Sequence, residues 1–339
     1  MKIAHILPYN AIFPLEMHNG RYEWVASLAQ LQVQQGHDVT IYCNPISKLK
    51  GVAIKGVQTS SEDNNKNNTD TFLLALSSEH DIYHSHFDNL HYRLAHYTNK
   101  PIIFTQHWWP VKQTVELAQQ FKPKNVWAVP PTYYMFQADK EYAIQSKGHI
   151  YHGIDLSLFQ DNPSVQRGER LLFVGRISPE KNLEIAIRVA KKANLGLDII
   201  GKIAKKNQEY WQTLEPLIDG VQIRYLGAKH SSELPKYYSS ARALFFASDI
   251  TESFGLVAIE AQACGLPVIM QRGGSRNELI REQVTGFLCT SDDDYIAAAL
   301  ASSDLQSHAC IEFAQTFDIT IMRQNYDDLY RELLVDQSS

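Results

Sequence analysis

Two separate stretches of this chain open with the same rhythm of strand, helix, strand, and that rhythm restricts the fold more than any other feature. Near the amino end "KIAHILP" is a short apolar run, "RYEWVASLAQLQVQQGH" carries helical periodicity to Gly36, and "DVTIYC" is a second apolar run. From residue 170 the rhythm returns as "RLLFVGRI", "NLEIAIRVAKKA" and "LGLDIIGK". A strand–helix–strand unit of this length makes its strands parallel, with a right-handed crossover. Further short runs follow in each half: "DIYHSH", "KPIIFTQH" and "VWAVP", then "VQIRYLGA", "ARALFFAS" and "LPVIMQ". The chain is therefore predicted to be α/β, with two Rossmann-like, doubly wound parallel sheets.

At 339 residues there is room for two domains, each of roughly 150 residues. The boundaries are expected to give domains over 1–150 and 151–318, with a helix over 319–339, "ITIMRQNYDDLYRELL", packing back on the first domain. The polar "SSEDNNKNNTD" reads as a mobile surface loop. Hydrophobic content of 44% and charged content of 20% supply two ordinary cores, and the net charge of -5 disfavours nucleic acid as a partner. Cys43, Cys264, Cys289 and Cys310 form no CxxC pair, so neither a disulfide framework nor a zinc site is expected. "MKIAHILPYN" is too briefly apolar for a signal peptide, and no run approaches a spanning helix. The expected location is cytoplasmic, with peripheral contact at the inner membrane face left open.

Ligands of open α/β sheets bind beyond the carboxyl ends of the strands, so a cleft between the two domains is the expected site. In "FVGRISPEKN", Gly175 ends a strand and Arg176 and Lys181 follow, two cations able to converge on one anion, diphosphate being the natural candidate. In "DITESFGLVAIEAQACG" a helix is expected to start near Phe254, leaving the amides around Gly255, Leu256 and Val257 unpaired at its positive end. Glu260 shares a helix face with Leu256, where ribose hydroxyls could donate to its carboxylate, and Glu252 stands before the helix to reach a sugar. Taken singly, each of these charges also fits a structural ion pair.

Together they resemble something specific. Glu252 and Glu260 with "SFG" between them form the E-x7-E pattern of retaining, GT-B-fold glycosyltransferases of family 4 (glycosyl transferases group 1). "GRISPEKN" looks like that family's G-R-x-x-x-E-K-G, and "YHGIDLSLF" its H-G-[IV]-D-x-x-x-F. "IEAQACGLPVI" and "GGSRNELIREQVTGFL" resemble two further blocks, so the match runs from about residue 151 to 290. Nearer the amino end the family usually has Gly-Gly where this chain has Asn19-Gly20, and Asn182 replaces the usual Gly after the lysine.

The resemblance implies transfer of a sugar from a nucleotide-diphospho-sugar, UDP- or GDP-linked, to a hydroxyl of a glycan, glycolipid or small molecule, with retention. It assigns the departing diphosphate to Arg176 and Lys181, the ribose to Glu260, and the donor sugar to Glu252 and the Phe254–Gly255 backbone. Backbone near Gly201-Lys202 and Ala228-Lys229 would meet the base. No cofactor or metal is expected, and "SDDDY" at 291–295 reads as a helix cap. A nucleotide-sugar epimerase and a catalytically inactive binding module are the alternatives. A nicotinamide dehydrogenase is disfavoured because "ILPYNAIFP" lacks G-x-G-x-x-G.

"HSHFD" sets His84, His86 and Asp88 on one side of an extended strand, a conceivable metal triad, with a cleft-edge role for His86 the blander alternative. His107, after "PIIFTQ", is the first domain's candidate for a positioning role in catalysis. Trp108 and Trp109 beside it suit either an acceptor-sugar platform or a wall.

Overall fold

The computed structural model describes residues 1–15, 20–58, 63–159, 167–249 and 251–336. The chain divides into two compact units, one of residues 1–153 with 319–339, the other of residues 154–318. The division thus falls three residues later than the expected 150/151 boundary.

The first unit contains β1 (Lys2–Ile6), α1 (Gly20–Gln34), β2 (Asp38–Tyr42), β3 (Ala53–Lys55), α2 (Asn64–Leu76) and β4 (Ile82–Ser85). It continues with α3 (Leu90–Leu94), β5 (Ile102–Thr105), α4 (Lys112–Phe121), β6 (Val126–Val129) and α5 (Tyr133–Glu141). The six strands are parallel in the order β3-β2-β1-β4-β5-β6. Strand order reverses between β1 and β4, which is a topological switch point.

The second unit contains β7 (Arg170–Val174), α6 (Leu183–Lys192), β8 (Gly196–Ile200), α7 (Gln208–Leu214), β9 (Ile223–Tyr225) and α8 (Leu234–Ser240). Then come β10 (Ala243–Phe246), α9 (Leu256–Ala263), β11 (Val268–Gln271), β12 (Gly286–Cys289), α10 (Asp292–Ala301) and α11 (Ser307–Gln315). Its order, β12-β11-β10-β7-β8-β9, repeats that of the first sheet, with the switch between β7 and β10. The final helix, α12 (Ile319–Asp336), belongs to the first unit.

Strands buried on both faces read as continuous apolar runs; β7 and β10 do so, whereas β1 and β4 carry the buried His5, His84 and Ser85. In β1, Ala4 and Ile6 join one apolar layer with Phe72 of α2 and Leu117 of α4. Ile3 and Leu7 join the opposite layer, with Trp24 and Leu28 of α1 and Met322, Tyr326 and Tyr330 of α12. His5 sits between Ile3 and Leu7, so alternation sends its ring into this second layer. It is fully buried.

The Asn-rich segment differs from expectation. Residues 64–70 form the first half of α2, while 60–62 lie outside the described residues. Asp63 caps the helix by accepting from the Asn65 and Lys66 amides, at 2.8 and 3.4 Å. Burial of Asn67, Thr71, Phe72 and Ala75 on one face overrides a weak local propensity. "SDDDY" does cap a helix: the Ser291 hydroxyl accepts from the Asp294 amide, and Asp294 returns the bond, in a capping box.

Candidate active site

In the second unit the loops leaving β7 and β10 are tied together at the switch point. The Asp249 amide donates to the Glu180 carbonyl at 2.9 Å, and the Asn182 side chain donates to the Ala247 carbonyl at 2.8 Å. Asn182 has φ +51°, a left-handed conformation that glycine adopts freely and asparagine tolerates better than most residues. Asn182 therefore holds a backbone that suits glycine and adds a strap. Arg276, 1% exposed, supplies a second strap, its guanidinium donating to the Gln271, Ser248 and Asp249 carbonyls.

This tethering brings Lys181 and Glu252 together as an ion pair, each side chain 16% exposed. The Lys181 ammonium also lies 5.6 Å from the centre of the Phe246 ring. On that same ring stands Gly255, where an added Cβ would come within 2.8 Å of Phe246 Cζ. Gly255 has φ +108° and caps α9, so the helix begins at Leu256 rather than near Phe254. Phe254 is buried instead, edge-on to Phe317. First-turn amides of a helix, here those of Leu256 and Val257, have no intrahelical acceptor and point out of its positive end.

Glu260 is 4% exposed on α9 and accepts a hydrogen bond from the Tyr238 hydroxyl at 2.8 Å. Burial, then the Glu260 charge, pushes the Tyr238 phenol well above its ordinary 10. It is therefore a fixed donor. The buried carboxylate thus has a protein partner, where the sequence had pointed to ribose hydroxyls alone.

Other expected residues are placed less centrally. Arg176 is about half exposed, 3.5 Å from Glu180. Burial raises the Glu180 carboxyl, but a Ser178 hydrogen bond, its own backbone and the charges of Arg176 and Lys181 outweigh this and bring it below its usual value. Both cations thus act on one carboxylate. Gly201 is required by close approach, since a Cβ there would fall 1.8 Å from the Gly175 carbonyl oxygen. Its amide donates to Gly227, and its carbonyl accepts from Tyr225. Lys202 and Ala228 are exposed and Lys229 half-buried. Gly20 opens α1, and Asn19 lies outside the described residues.

In the first unit the switch point holds a histidine cluster. His5 and His84 face each other in the β1–β4 register. His5 Nε2 meets Gln32 Oε1 at 2.8 Å, His5 Nδ1 meets His86 Nε2 at 3.1 Å, and His86 Nδ1 meets His107 Nε2 at 3.0 Å. His84 lies alongside, its two nitrogens 2.7 Å from the Tyr330 hydroxyl and 2.7 Å from Thr105 Oγ1. Trp24 stands edge-on to His84, His86 and His107 and closes the cluster. Burial lowers the His5 imidazole to about 4 and His152, beside His107, to about 3. Burial also holds His84, His86 and His107 well below 6.5, each helped by neighbouring histidines and the latter two by Arg21.

His107 lies two residues beyond β5, half-buried, beside a cavity of about 300 Å³ lined by Asp88, Gln106, Trp108 and Trp109. Trp108 is 49% exposed, and Trp109 packs against Tyr134 at 5.5 Å.

Among the described residues, His5, His84 and His86 are the group that could enclose a metal, and exposed Asp88 is not part of it. All six of their ring nitrogens are already hydrogen-bonded, to Gln32, His107, Tyr330, Thr105 and one another. These rings fit a hydrogen-bonded network better than a ligand set. Sequence reasoning missed Gln32, His5, Tyr238 and Arg276. Only His5 left a signal, a polar ring inside an apolar strand run.

The family model for glycosyl transferases group 1 matches residues 156–314. A D-inositol 3-phosphate glycosyltransferase of Geodermatophilus obscurus is 34% identical over 192 residues, 49% of this chain and 42% of that protein. The aligned stretch spans less than half of the relative's length. Among solved structures, a sucrose-phosphate synthase from Thermosynechococcus elongatus matches with a TM-score of 0.84 at 18% identity, over 99% of each chain. Anabaena HepE in complex with UDP and glucose matches with a TM-score of 0.76 at 17% identity, over 97% of this chain and 99% of that one. These two likenesses show a shared α/β fold of two Rossmann-like units. No helix among the described residues is long and apolar enough to cross a membrane.

Proposed function

Through residues 156–314 the chain belongs to the glycosyl transferases group 1, and on that premise we propose that it transfers a sugar, with retention, from a nucleotide-diphospho-sugar to an acceptor hydroxyl. The observation that carries this is the gathering of Lys181, Glu252 and the Gly255-capped start of α9 at the switch point of one sheet. A departing diphosphate needs fixed positive charge, and preorganised donors supply it without reorganisation during reaction. Lys181, Arg176 and the amides of Leu256 and Val257 provide it.

In this reading Glu260 accepts ribose hydroxyls beside its bond from Tyr238. Glu252 leaves Lys181 to hold the donor sugar with the Phe254–Gly255 backbone, and the segments at Gly201-Lys202 and Ala228-Lys229 border the base. UDP is the favoured diphosphate because UDP occupies the similar Anabaena structure. The cations and helix end replace a metal, so turnover is expected to survive chelation. His107 holds a sugar hydroxyl in place, and the cavity beside it, large enough for about one sugar ring, takes the acceptor.

Incubating the protein with UDP- and GDP-sugars in EDTA, with a panel of hydroxylated acceptors, tests this. Release of nucleoside diphosphate coupled to an α-linked product from an α-linked donor supports it. Transfer that inverts the anomeric centre, or that needs an added divalent ion, would overturn the corresponding part.

A further inference from the structure

We propose that Gln32, His5 and His86 form a hydrogen-bond relay that sets the tautomer of His107, fixing its Nε2 as the donor and its Nδ1 as the acceptor. The inference rests on the reading of His107 as the residue that positions a sugar hydroxyl, and it deepens that reading.

The argument starts at the buried end. Gln32 is fully buried on α1, and its Oε1 can only accept. The amide is oriented with its oxygen toward His5 at 2.8 Å, while its nitrogen has no hydrogen-bond partner among the described residues. His5 therefore carries its proton on Nε2, and its Nδ1 must accept. The nitrogen opposite, His86 Nε2 at 3.1 Å, must then donate, which leaves His86 Nδ1 as an acceptor. His107 Nε2, 3.0 Å from it, donates in turn. One amide thus imposes a single direction on three rings, and whatever meets His107 Nδ1 must donate to it. A sugar hydroxyl does.

This logic holds only while the rings are neutral, since an imidazolium has no acceptor nitrogen. The surroundings enforce neutrality. His5 and His86 are fully buried with rings stacked at 5.4 Å. Arg21 on α1 acts on His86 and His107, His152 faces His107, and His84 on β4 lies 4.4 Å from His86. The hydroxyls of Tyr326 and Tyr330 on α12 are turned to Thr105 and His84, and burial keeps both phenols protonated. Among the described residues, no carboxylate is hydrogen-bonded to Gln32, His5 or His86.

Nitrogen-15 spectra of histidine-labelled, full-length protein at pH 7.5 read the tautomers directly. Three neutral rings protonated at Nε2, assigned by His5→Asn, His86→Asn and His107→Asn, support the relay. A ring among them protonated at Nδ1, or charged, overturns it. Gln32→Met keeps the length and removes the acceptor. It should lower kcat on the order of tenfold, the loss expected when one positioned hydrogen bond is no longer held, with KM for donor unchanged. Gln32→Glu puts a carboxylate against His5, favours its imidazolium and so should not recover the rate. Unchanged kcat in a Gln32→Met protein whose tautomers have altered would reject the coupling to catalysis. If Gln32→Met does not fold, the wild-type tautomers still decide the relay. If no transfer is found with any donor, the proposed function fails while the tautomer result stands on its own.

Discussion

Lys181 and Glu252 lie 71 residues apart in the chain and form an ion pair whose two side chains are each 16% exposed. The cation proposed to meet diphosphate is therefore already neutralised, and a ligand must compete for it. Glu252→Gln should release Lys181, worth roughly 1 kcal/mol for a pair at this depth, and so tighten nucleoside diphosphate binding about fivefold. The same substitution should cut turnover, because the donor sugar loses its carboxylate. Calorimetric titration beside a rate assay checks this. Weaker diphosphate binding in Glu252→Gln would mean that Glu252 supports the diphosphate instead of opposing it.

Asn182 gives a backbone test. At φ +51° a side chain without a local polar group is strained by on the order of 1 kcal/mol, and the strap to Ala247 is lost as well. Asn182→Ala should therefore destabilise by about 2 kcal/mol, whereas Asn182→Gly loses the strap but not the backbone and should cost about half of that. Denaturant unfolding ranks the two. Equal stability of the Ala variant and wild type would refute the strain argument.

Histidine burial predicts the acid limit of stability. A histidine lowered from 6.5 in the unfolded chain to about 4 in the fold, as His5 is, binds its proton more readily unfolded. Its contribution is complete above pH 6.5 and is lost as pH falls toward 4, about 3 kcal/mol for His5 alone. His152 acts in the same direction down to about 3. Melting temperature should drop steeply between pH 6.5 and 4, and less steeply in His5→Asn. A flat profile over this window would show that the rings are charged in the folded protein.

Much of this was legible in the sequence because the decisive residues are near neighbours along it. Gly175, Arg176 and Lys181 lie in one loop, and Glu252, Gly255 and Glu260 in one loop and helix, so spacing alone brought each set together. The apolar strand runs likewise disclosed both sheets. What escaped depends on neighbours that only the folded sheet creates. His5 meets His84 through strand register and Gln32 through helix packing, and Tyr238 reaches Glu260 from another helix. Arg276 was hidden because its partners are backbone carbonyls, which carry no sequence signal. The asparagines of α2 misled because burial of one face outweighed their local preference for turns.

The central claim is that α9 and its loop hold a nucleoside diphosphate by charge and ribose contacts without a metal. Calorimetric titration of UDP, GDP, ADP and dTDP into wild type and Glu260→Ala, both in EDTA, tests it most directly. The account predicts that one of these diphosphates binds wild type without divalent ion. It predicts that Glu260→Ala weakens that binding by roughly ten- to a hundredfold, the cost of about 1.5–3 kcal/mol for losing hydrogen bonds to a buried carboxylate. Equal affinity in the two proteins, or binding that appears only when a divalent ion is restored, would contradict it.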